Sequence, residues 1–597
     1  MSMSMSMMRP SSVSIFFPLF ILLSISRLHV TALQEQQPSN DACASTEFPK
    51  LCRSMVRSYR TLPSSSDSDL SGLGKHSVKQ SLTQAMKMSK VIKHYLSPKR
   101  SRSLSRQLLS ALRDCSDLSD STVRFLQSTL SECGEGDLAR LTVEEIGRVQ
   151  TQLSGVVANE RLCLNGLKES NSSIARPLSE SLSDANQMYG LSLQLMTRAL
   201  TQNETHHQIR PRVEFEGFVV SSRHHVPLNY LIELNFRGIA KNFNSTFVQN
   251  IRQGHCNPLK NCPRSGYTSF YFGDSGILIN NIVTVGHTGR DHFRSITDAV
   301  SSAPHHLRAE DGYYVIYVRR GVYGEYVNIP HNRKHILLLG DGIGQTIITG
   351  NRNNDDGWGT YKTASFGVDG DGFIAVDLTF RNTAGLYKGQ AVAARVVSDL
   401  STFYRCSFEG YQDTLLSHAG RQFFRECDIY GTIDFIFGFA TAAFQNCNIY
   451  ARKPKPGQAT VVTAQGRKYP YETSGFSFHN CTIKPAPDME KKPRVALNYL
   501  GRPWYSYSRT IIMQSYIDKY IHPKGWTPFR GNDGLNTLYY GEYDNRGPGS
   551  GTRRRVNWKG YHVLDYQQAQ QFTVYNLTTG NTWLPQTDIP HVGGLLG

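Results

Sequence analysis

The sequence predicts an all-α, four-helix-bundle-like domain followed by a parallel β-helix, and three observations carry this prediction. Residues 40 to about 200 place apolar residues at three- and four-residue spacings with few prolines, as amphipathic helices do. From about residue 280, short Val, Ile, Phe and Tyr runs alternate with Gly, Asn and Asp, which is typical of strands. Within that part an aromatic–polar–Cys–apolar unit recurs about every 20 residues, as in a solenoid of stacked coils.

The segment 1–32 is predicted to be a secretory signal peptide. Arg9 gives a basic start, an apolar run covers 15–25, and small residues at 30–32 offer a cleavage site. The apolar run is shorter than the roughly 20 residues that a membrane-spanning helix needs. We therefore expect an exported protein without a membrane span. Five N-x-S/T sequons agree with a glycosylated product; they begin at Asn171, Asn203, Asn244, Asn480 and Asn576.

Export makes disulfides expected among the 11 cysteines, with at least one left over. In the helical part, Cys43 and Cys52 are nine residues apart and suit a small loop. Cys115 and Cys163 fall on separate predicted helices and could pin them together, which leaves Cys133 as the spare.

The formal net charge of +17 favours an acidic partner. Secretion argues against nucleic acid, and the basic residues are spread out rather than gathered in one tract. An acidic extracellular polymer fits best.

Residues 201–280 are predicted to be a linker because they mix Pro, Gly, His and basic residues without a helical period. Cys256 and Cys262 could close a loop there. The tetrapeptide GDSG at 273–276 is similar to a serine-hydrolase motif, but no second glycine and no His/Asp framework follows it. We therefore assign no serine chemistry to the linker.

The repeat is clearest in a column of four cysteines in the strand-rich part. Cys406, Cys427 and Cys447 follow one another at intervals of about 20 residues, the length of one solenoid coil. Cys481 comes after a longer interval, which leaves room for an inserted loop. A β-sandwich with accidental repeats would not keep cysteine in phase across several turns. Since neighbouring coils are about 4.8 Å apart, Cys406 and Cys427 are expected to be close enough for a disulfide, and Cys447 and Cys481 are further candidates.

Two aspartates share the phase of this repeat. Asp413 follows Cys406 at the same distance along the chain as Asp434 follows Cys427, so stacking places the two aspartates on one face, one coil apart. Carboxylates this close titrate together, and one pKa should rise. One group can then donate a proton while the other acts as nucleophile or base. The alternative is a structural ladder of Asp residues in the turns of a solenoid.

The neighbouring residues favour the catalytic interpretation. Gln412 adjoins Asp413 in GYQDTL, and Gln390 in GQAVAARV lies about one coil earlier. Their amides could stabilise a developing oxyanion. In YLGRPW, Arg502 is a candidate cation for an ionised aspartate, and Trp504 offers an aromatic surface for a sugar ring.

Together, GQAVAARV, GYQDTL, GTIDFIFG and YLGRPW resemble the pectin methylesterases of plants, a family of right-handed parallel β-helix aspartyl esterases. The C-terminal stretch NTWLPQTDIPHVGGLLG is similar as well. The N-terminal ALRDC and VVANERLCLNGL resemble the inhibitor-like pro-domain that these enzymes often carry. The expected division is a signal peptide at 1–32, an inhibitor-like helical domain at 33–200, a linker or processing region at 201–280, and a catalytic β-helix at 281–597.

The resemblance implies hydrolysis of the C6 methyl esters of galacturonate units. It assigns Asp434 as the nucleophile and Asp413 as the group that protonates departing methanol and then activates water. Gln390 and Gln412 would stabilise the anionic intermediate, and Arg502 would keep Asp434 ionised.

The resemblance also implies the substrate contacts and partners. Thr360, in GTYKTASF, matches a substrate-contacting threonine, Trp504 would pack on the polysaccharide, and Tyr411 and Phe435 are further candidates to line the groove. The expected partners are pectin (homogalacturonan) and proteinaceous pectinesterase inhibitors. The expected state is a monomer in the plant cell wall, with no metal or organic cofactor; no Cys/His cluster has zinc spacing.

The chain departs from the family pattern in three places. Leu416 stands where YQDTLY is common, which could weaken a sugar subsite. The segment 282–293 replaces the usual opening of the catalytic domain. The linker has no clear basic processing tetrad of the RRLL type.

Two other functions compete with the esterase. A retaining glycosidase that cuts polygalacturonate would also use two carboxylates about 5–5.5 Å apart. A non-enzymatic wall protein or inhibitor would leave the β-helix inert. The motif set favours the esterase over both.

Overall fold

The structure is a computed structural model that describes residues 43–61, 69–204, 225–226, 228–229, 231–232, 276–289, 291–490 and 496–597. The predicted signal peptide, the Cys256–Cys262 loop and the Asn244 sequon lie outside these residues. Across the described ranges, every helix is too short or too polar to cross a bilayer.

The N-terminal part is a helical bundle. Its helices are α1 (Pro49–Arg60), α2 (Leu70–Tyr95), α3 (Pro98–Ser101), α4 (Arg106–Cys133), α5 (Val143–Glu169) and α6 (Ala175–Glu204). Side-chain caps define where the long helices start: Ser105 accepts from the Leu108 N–H, and Thr142 forms a capping box with Glu145. The long helices α2, α4, α5 and α6 bury Leu, Val and Ala on their facing sides.

Two disulfides staple this bundle. Cys43 is bonded to Cys52 beside α1, and Cys115 on α4 is bonded to Cys163 on α5. Both pairs are those expected from the sequence, and Cys133 is free and buried as the expected spare.

The C-terminal part is a β-helix, built from short strands connected by tight turns. The strands are β1 (His225–Val226), β2 (Ile277–Val285), β3 (Tyr313–Val318), β4 (Gly321–Tyr323), β5 (Val327–Ile329), β6 (Ile336–Leu339), β7 (Thr346–Gly350), β8 (Phe366–Val368), β9 (Ile374–Val376), β10 (Thr379–Asn382), β11 (Ala394–Val396), β12 (Ser401–Tyr404), β13 (Ser407–Glu409), β14 (Leu415–Ser417), β15 (Arg421–Arg425), β16 (Asp428–Gly431), β17 (Ile436–Gly438), β18 (Thr441–Gln445), β19 (Asn448–Ala451), β20 (Thr460–Gln465), β21 (Gly475–His479), β22 (Thr482–Pro485), β23 (Asn498–Gly501), β24 (Arg509–Met513), β25 (Tyr516–Ile517), β26 (Tyr539–Tyr543) and β27 (Tyr561–Val563). Four short helices accompany them: α7 (Ile296–Ser302), α8 (Pro487–Glu490), α9 (Tyr566–Gln570) and α10 (Val574–Thr578).

The strands form three sheets that run the length of the β-helix. From β3 to β23 each coil contributes one strand to each sheet. The sheet orders are β1-β2-β3-β6-β9-β12-β15-β18-β21-β24-β26-β27, β25-β22-β19-β16-β13-β10-β7-β4 and β23-β20-β17-β14-β11-β8-β5. The neighbouring pairs are parallel except β1 with β2. The segment 282–293, which departs from the family pattern, contributes to β2 and its parallel pairing with β3. The third sheet, which runs from β23 to β5, is named the front sheet and carries the candidate site.

Equal phases of the repeat stack in the interior. The rings of Phe403, Phe424, Phe444 and Phe478 form a column with centroids 5.0, 4.6 and 4.6 Å apart. The β-helix core runs from Val283 to Tyr540 and includes no residue of the bundle. The β-helix therefore has a hydrophobic core of its own.

The prediction of a disulfide in the cysteine column is wrong. Cys406, Cys427, Cys447 and Cys481 are all free and buried. Each follows a residue with positive φ, between 50° and 56°, so the four turns have the same conformation and the side chains point the same way. Parallel side chains keep the coil spacing of about 4.8 Å, whereas a disulfide needs Cβ atoms about 3.8 Å apart and turned towards each other. The thiols instead lie against backbone carbonyls, as Cys427 does with Phe403 at 3.4 Å.

The bundle packs against the front sheet. One apolar cluster joins Leu416, Phe437 and Tyr469 of the β-helix to the leucines of α4 and α5. Arg161 on α5 is buried between the rings of Tyr469 and Tyr505, with its Cζ 4.7 and 5.1 Å from their centroids.

The inserted loop that the spacing between Cys447 and Cys481 predicted holds Tyr469. The bundle therefore rests partly on that loop.

Candidate active site

Asp413 and Asp434 lie on the front sheet, each two residues before a strand. Leu415 of β14 pairs with Ile436 of β17, so the two aspartates occupy equal positions in adjacent coils. Both have left-handed backbone conformations, with φ of 60° and 50°. Asp tolerates this conformation better than most residues do, which allows a sharp turn immediately before each strand.

The two carboxyls have different electrostatic surroundings. Burial, the negative charge of Asp434 and that of Glu169 raise the pKa of Asp413 well above its ordinary value. Burial also raises the pKa of Asp434, but Arg502 opposes this shift. Arg502 donates from Nε and Nη2 to the two oxygens of Asp434 at 2.8 and 2.6 Å. This fork favours ionised Asp434 beside protonated Asp413.

The two glutamines also stack in adjacent coils. The N–H of Ala391 donates to the carbonyl of Gln412 at 3.1 Å, which fixes Gln390 one coil from Gln412. Both glutamines line the same cleft as the aspartates. Their amides are thus available to an oxygen atom held between the two carboxyls.

Aromatic side chains form one wall of this cleft. Trp504 packs on Phe439 and Phe437, with ring centroids 4.8 and 5.9 Å apart. Phe529 lies under the Arg502 guanidinium, whose Cζ is 4.4 Å from the ring centroid. Planar apolar faces beside buried polar groups suit a sugar ring.

The opposite wall belongs to the helical bundle. The cleft has a volume of about 210 Å³, and α4 and α5 contribute to its lining Ser110, Asp114, Asn165 and Glu169, among others. Ser110 Oγ accepts from the N–H of Gly359 at 2.5 Å, and Tyr505 donates to Asn165 at 3.1 Å. The bundle therefore covers the groove above the two aspartates.

Most of the predicted site residues meet here. Asp413, Asp434, Gln390, Gln412, Thr360, Arg502 and Trp504 all line the cleft. Phe435 does not, because it points into the β-helix core. Tyr411 is not part of the lining and accepts a hydrogen bond from Arg452 instead.

Sequence reasoning missed Phe437, Phe529 and the acidic side chains of the bundle. Phe437 could have been found from the repeat, because it lies one coil after Leu416 and pairs with it on the front sheet. Asp114 and Glu169 have no comparable signal, since only the docked arrangement brings them to the cleft.

Within the described ranges, no cluster of three His, Cys, Asp or Glu side chains could hold a metal ion.

Comparisons with known proteins give two family matches. The family model Pectinesterase matches residues 282–581, and the model Plant invertase/pectin methylesterase inhibitor matches residues 39–195.

Individual relatives are similar to the whole chain or to about half of it. A protein of Arabidopsis thaliana named probable pectinesterase/pectinesterase inhibitor 25 is 46% identical over 566 residues, which are 94% of this chain and 87% of the relative. Pectinesterase 2 of Citrus sinensis is 51% identical over 314 residues, which are 52% of this chain and 60% of the relative. The solved structure of pectin methylesterase from carrot is 46% identical with a TM-score of 0.52, and the match covers 52% of this chain and 98% of the carrot chain.

Proposed function

The chain belongs to the plant pectinesterases that carry an N-terminal inhibitor-like domain, and on this premise we propose that Asp434 and Asp413 catalyse its ester hydrolysis as nucleophile and acid–base. The substrate is pectin, whose C6 methyl esters become free carboxylates with release of methanol. The observation that carries the assignment is the two-pronged ion pair from Arg502 to Asp434, which Asp413 lacks.

In the first half of the reaction, ionised Asp434 attacks the carbonyl carbon of the methyl ester. The carbonyl oxygen becomes an oxyanion, which the side-chain amides of Gln390 and Gln412 stabilise by donating hydrogen bonds. The C–O bond to the methoxy group then breaks, and protonated Asp413 gives its proton to the departing oxygen. The products are methanol and an acid anhydride between Asp434 and the galacturonate.

The second half restores the enzyme. Asp413, now ionised, takes a proton from water, and the hydroxide oxygen attacks the galacturonate carbonyl carbon. The anhydride bond breaks, which frees the Asp434 carboxylate and leaves galacturonic acid in the polymer. Asp413 is protonated again and ready for the next ester.

Substitution of the proposed nucleophile and of one proposed oxyanion donor tests these roles. Asp434→Asn should lower methanol release from pectin by about 10³-fold or more, because it removes the attacking oxygen charge. Gln412→Ala should cost about 10²-fold in kcat, the usual loss for one oxyanion donor. Asp428→Asn is the matched control, since this aspartate lies on a different sheet and bonds to Asn448. Normal methanol release by Asp434→Asn would refute the assignment.

The same assay separates the esterase from the polygalacturonate glycosidase. An esterase releases methanol without creating reducing ends, whereas a glycosidase creates a reducing end with each cleavage. New reducing ends without methanol would refute the proposed function.

A second proposal concerns the helical bundle, which in the full chain occludes the groove. It is supported by the cleft lining from α4 and α5 and by the buried Arg161 between two tyrosines of the β-helix. Residues 222–597 retain the complete β-helix core and should release methanol at least tenfold faster than the full chain. Equal rates, with both proteins folded, would count against occlusion.

The remaining assignments follow from family membership. We place the division between the parts as predicted from the sequence: 1–32, 33–200, 201–280 and 281–597. Secretion to the plant cell wall, binding of separate pectinesterase inhibitors and a monomeric state remain part of this proposal.

A further inference from the structure

The helical bundle carries a strong excess of positive charge on its helix α2 and on the turn that follows. Residues 70–113 contain six Lys, four Arg and no Asp or Glu, in a chain whose net charge is +17. Apolar and small residues separate these cations, so no continuous basic tract marks them in the sequence. Their grouping therefore depends on how the segment folds.

Helical periodicity places four lysines of α2 on one side of the helix. They fall within a sector of about 120° around the axis and span about 21 Å along it. All four are exposed: Lys79, Lys87, Lys90 and Lys93. Three further exposed cations follow the helix and prolong this surface: Lys99, Arg100 and Arg102. These seven residues are named the basic face.

Most charges of the basic face have no neutralising partner. Lys93 pairs with Asp120 of α4 at 2.7 Å. Among the described residues, the other six cations form no ion pair with a carboxylate, although the neighbouring helix α6 has the exposed acids Glu180 and Asp184. A surface of this kind attracts a partner that carries several negative charges.

The apolar side of α2 is not available to a membrane. It packs inside the bundle, where Val78, Met88 and Ile92 are buried. The large apolar side chains that α2 exposes are Met86 and Val91, at 45% and 41%. A helix that binds a membrane surface needs a wide apolar face to insert between the lipids. The affinity of the basic face must therefore come from charge, which favours a hydrated polyanion.

The basic face is separate from the catalytic cleft. The bundle wall of the cleft comes from α4 and α5, and α2 contributes no residue to it. Within the bundle α2 packs on α4 and α6. Its lysines are exposed while the bundle covers the groove. A polymer can therefore reach the basic face without entering the cleft.

We propose that the basic face of the bundle binds de-esterified polygalacturonate, the polymer that the β-helix produces. Each hydrolysed ester leaves a carboxylate where a neutral group stood, so the product is a polyanion with one charge on each free unit. Its carboxylates pair with the ammonium groups spaced along α2. The inhibitor-like domain thus anchors the chain, with its groove still covered, to polymer that has lost its methyl groups. This role goes beyond the proposed function, because α2 does not touch the cleft.

A binding measurement on the full chain tests the anchor without relying on catalysis. Unesterified decagalacturonate is titrated in a calorimeter into the wild type and into a triple variant with Lys79→Gln, Lys87→Gln and Lys90→Gln. Lys and Gln have similar helix propensities, so α2 should stay folded. Loss of one exposed ion pair weakens binding a few-fold, so the triple variant should raise the Kd about tenfold or more.

The matched control removes the same charge from the β-helix, at three exposed lysines outside the cleft: Lys519, Lys524 and Lys559. Their joint replacement by Gln should change the Kd less than about twofold, because single long-range charges are screened in salt. A third variant, with Lys79→Arg, Lys87→Arg and Lys90→Arg, should keep most of the wild-type affinity.

Three results would overturn the proposal. The first is an equal Kd for the wild type and the α2 glutamine variant, with unchanged Tm. The second is an equal effect of the two glutamine variants, which would reveal attraction by net charge alone. The third is tighter binding to vesicles of equal parts phosphatidylcholine and phosphatidylserine, or to a single-stranded RNA, that the α2 variant loses. That result would assign the basic face to another class of partner.

Methanol release separates this proposal from the proposed function. Residues 222–597 lack α2, so their activity on pectin does not depend on the basic face. Methanol release without binding of decagalacturonate through α2 refutes the anchor and leaves the esterase standing. Binding through α2 without methanol release refutes the esterase instead.

Discussion

The docking of the helical bundle should weaken as pH rises, and Asp114 of α4 should account for about one proton of this dependence. The side chain is buried against the β-helix, where Oδ1 has no hydrogen-bond partner among the described residues. Room for it exists only because residue 359 is glycine: a Cβ there would be 2.1 Å from Oδ2. Burial raises the pKa of Asp114 to about 8, although the charge of Lys362 and the N–H of Tyr361 oppose the shift.

The sign follows from proton linkage. In the separated bundle the carboxyl faces water, with an ordinary pKa near 3.8. The docked state therefore binds more protons. The contribution of this carboxyl to docking is fully present below about pH 4, and it is lost as pH rises from there through about 8. At pH 7 the free energy of association between the bundle and the β-helix is weaker by at most about 4 kcal/mol than at low pH, since each unit of pKa difference corresponds to about 1.4 kcal/mol. Between pH 5 and 7 the association constant should fall about tenfold per pH unit from this group alone.

The assay uses the full chain, cut after folding at a protease site placed within residues 233–275, so that the two parts can dissociate. Their association constant is measured by calorimetry at pH 5, 6 and 7. Asp114→Asn should tighten docking at pH 7 and reduce the slope of log K against pH by about one. Asp120→Asn is the control on the same helix, because Asp120 is solvent-accessible and pairs with Lys93 inside the bundle. An unchanged slope in Asp114→Asn would refute the reasoning.

Three further predictions concern the groove and the core. Arg502→Gln should move the acid limb of the pH–rate profile of residues 222–597 to higher pH, because loss of the cation raises the pKa of Asp434 further. An acid limb at the wild-type pH would contradict this. The control is Arg381→Gln, because Arg381 pairs with Glu409 on another sheet. Leu416→Tyr should increase methanol release by the full chain about tenfold, because Leu416 is fully buried under the bundle and overpacking costs about 1–3 kcal/mol; the same rate as wild type would be inconsistent with this packing. Alkylation of the unfolded, unreduced chain should label every free cysteine of the described residues: Cys133, Cys406, Cys427, Cys447 and Cys481. Mass spectrometry detects the adducts, and a missing adduct at one of them would show that this cysteine forms a disulfide.

The repeat made much of the β-helix and its site predictable. A period of about 20 residues determines which side chains share a phase, and the stacking of the coils places residues of equal phase next to one another. The positions of Asp413 and Asp434 in adjacent coils, and of Gln390 one coil from Gln412, follow from counting alone. Arg502 was found differently, through the motif YLGRPW, because it lies 68 residues from its partner.

Phase does not determine the direction in which a side chain points, and the errors are of this kind. Cys406 and Cys427 are in phase, yet identical turns keep their side chains parallel and unbonded. Phe435 and Ile436 are both in the core, so the alternation of strand positions is interrupted at the corner before β17. The side chain that faces the cleft is consequently that of Phe437. Strict alternation counted from Asp434 would instead have placed residue 436 there.

The docking of the bundle lies beyond any local pattern. Leu416 departs from the family motif, and the sequence alone suggests a weakened sugar subsite there. In the structure it is fully buried in the cluster shared with the bundle. Its apolar character therefore has a structural reason that only the contact between the two parts discloses.

Because the catalytic pair occupies equal positions in successive coils, its separation can change only in whole steps. An insertion in a turn is absorbed by the loop and leaves the register of later strands unchanged, as between β19 and β22, whereas insertion of one coil between the aspartates would place the carboxyls about 10 Å apart. At that distance in a solvated groove they would titrate almost independently. A copied coil could, however, create a second aspartate beside the first in one event. The architecture thus makes an acid–nucleophile pair easy to originate by duplication and hard to adjust afterwards.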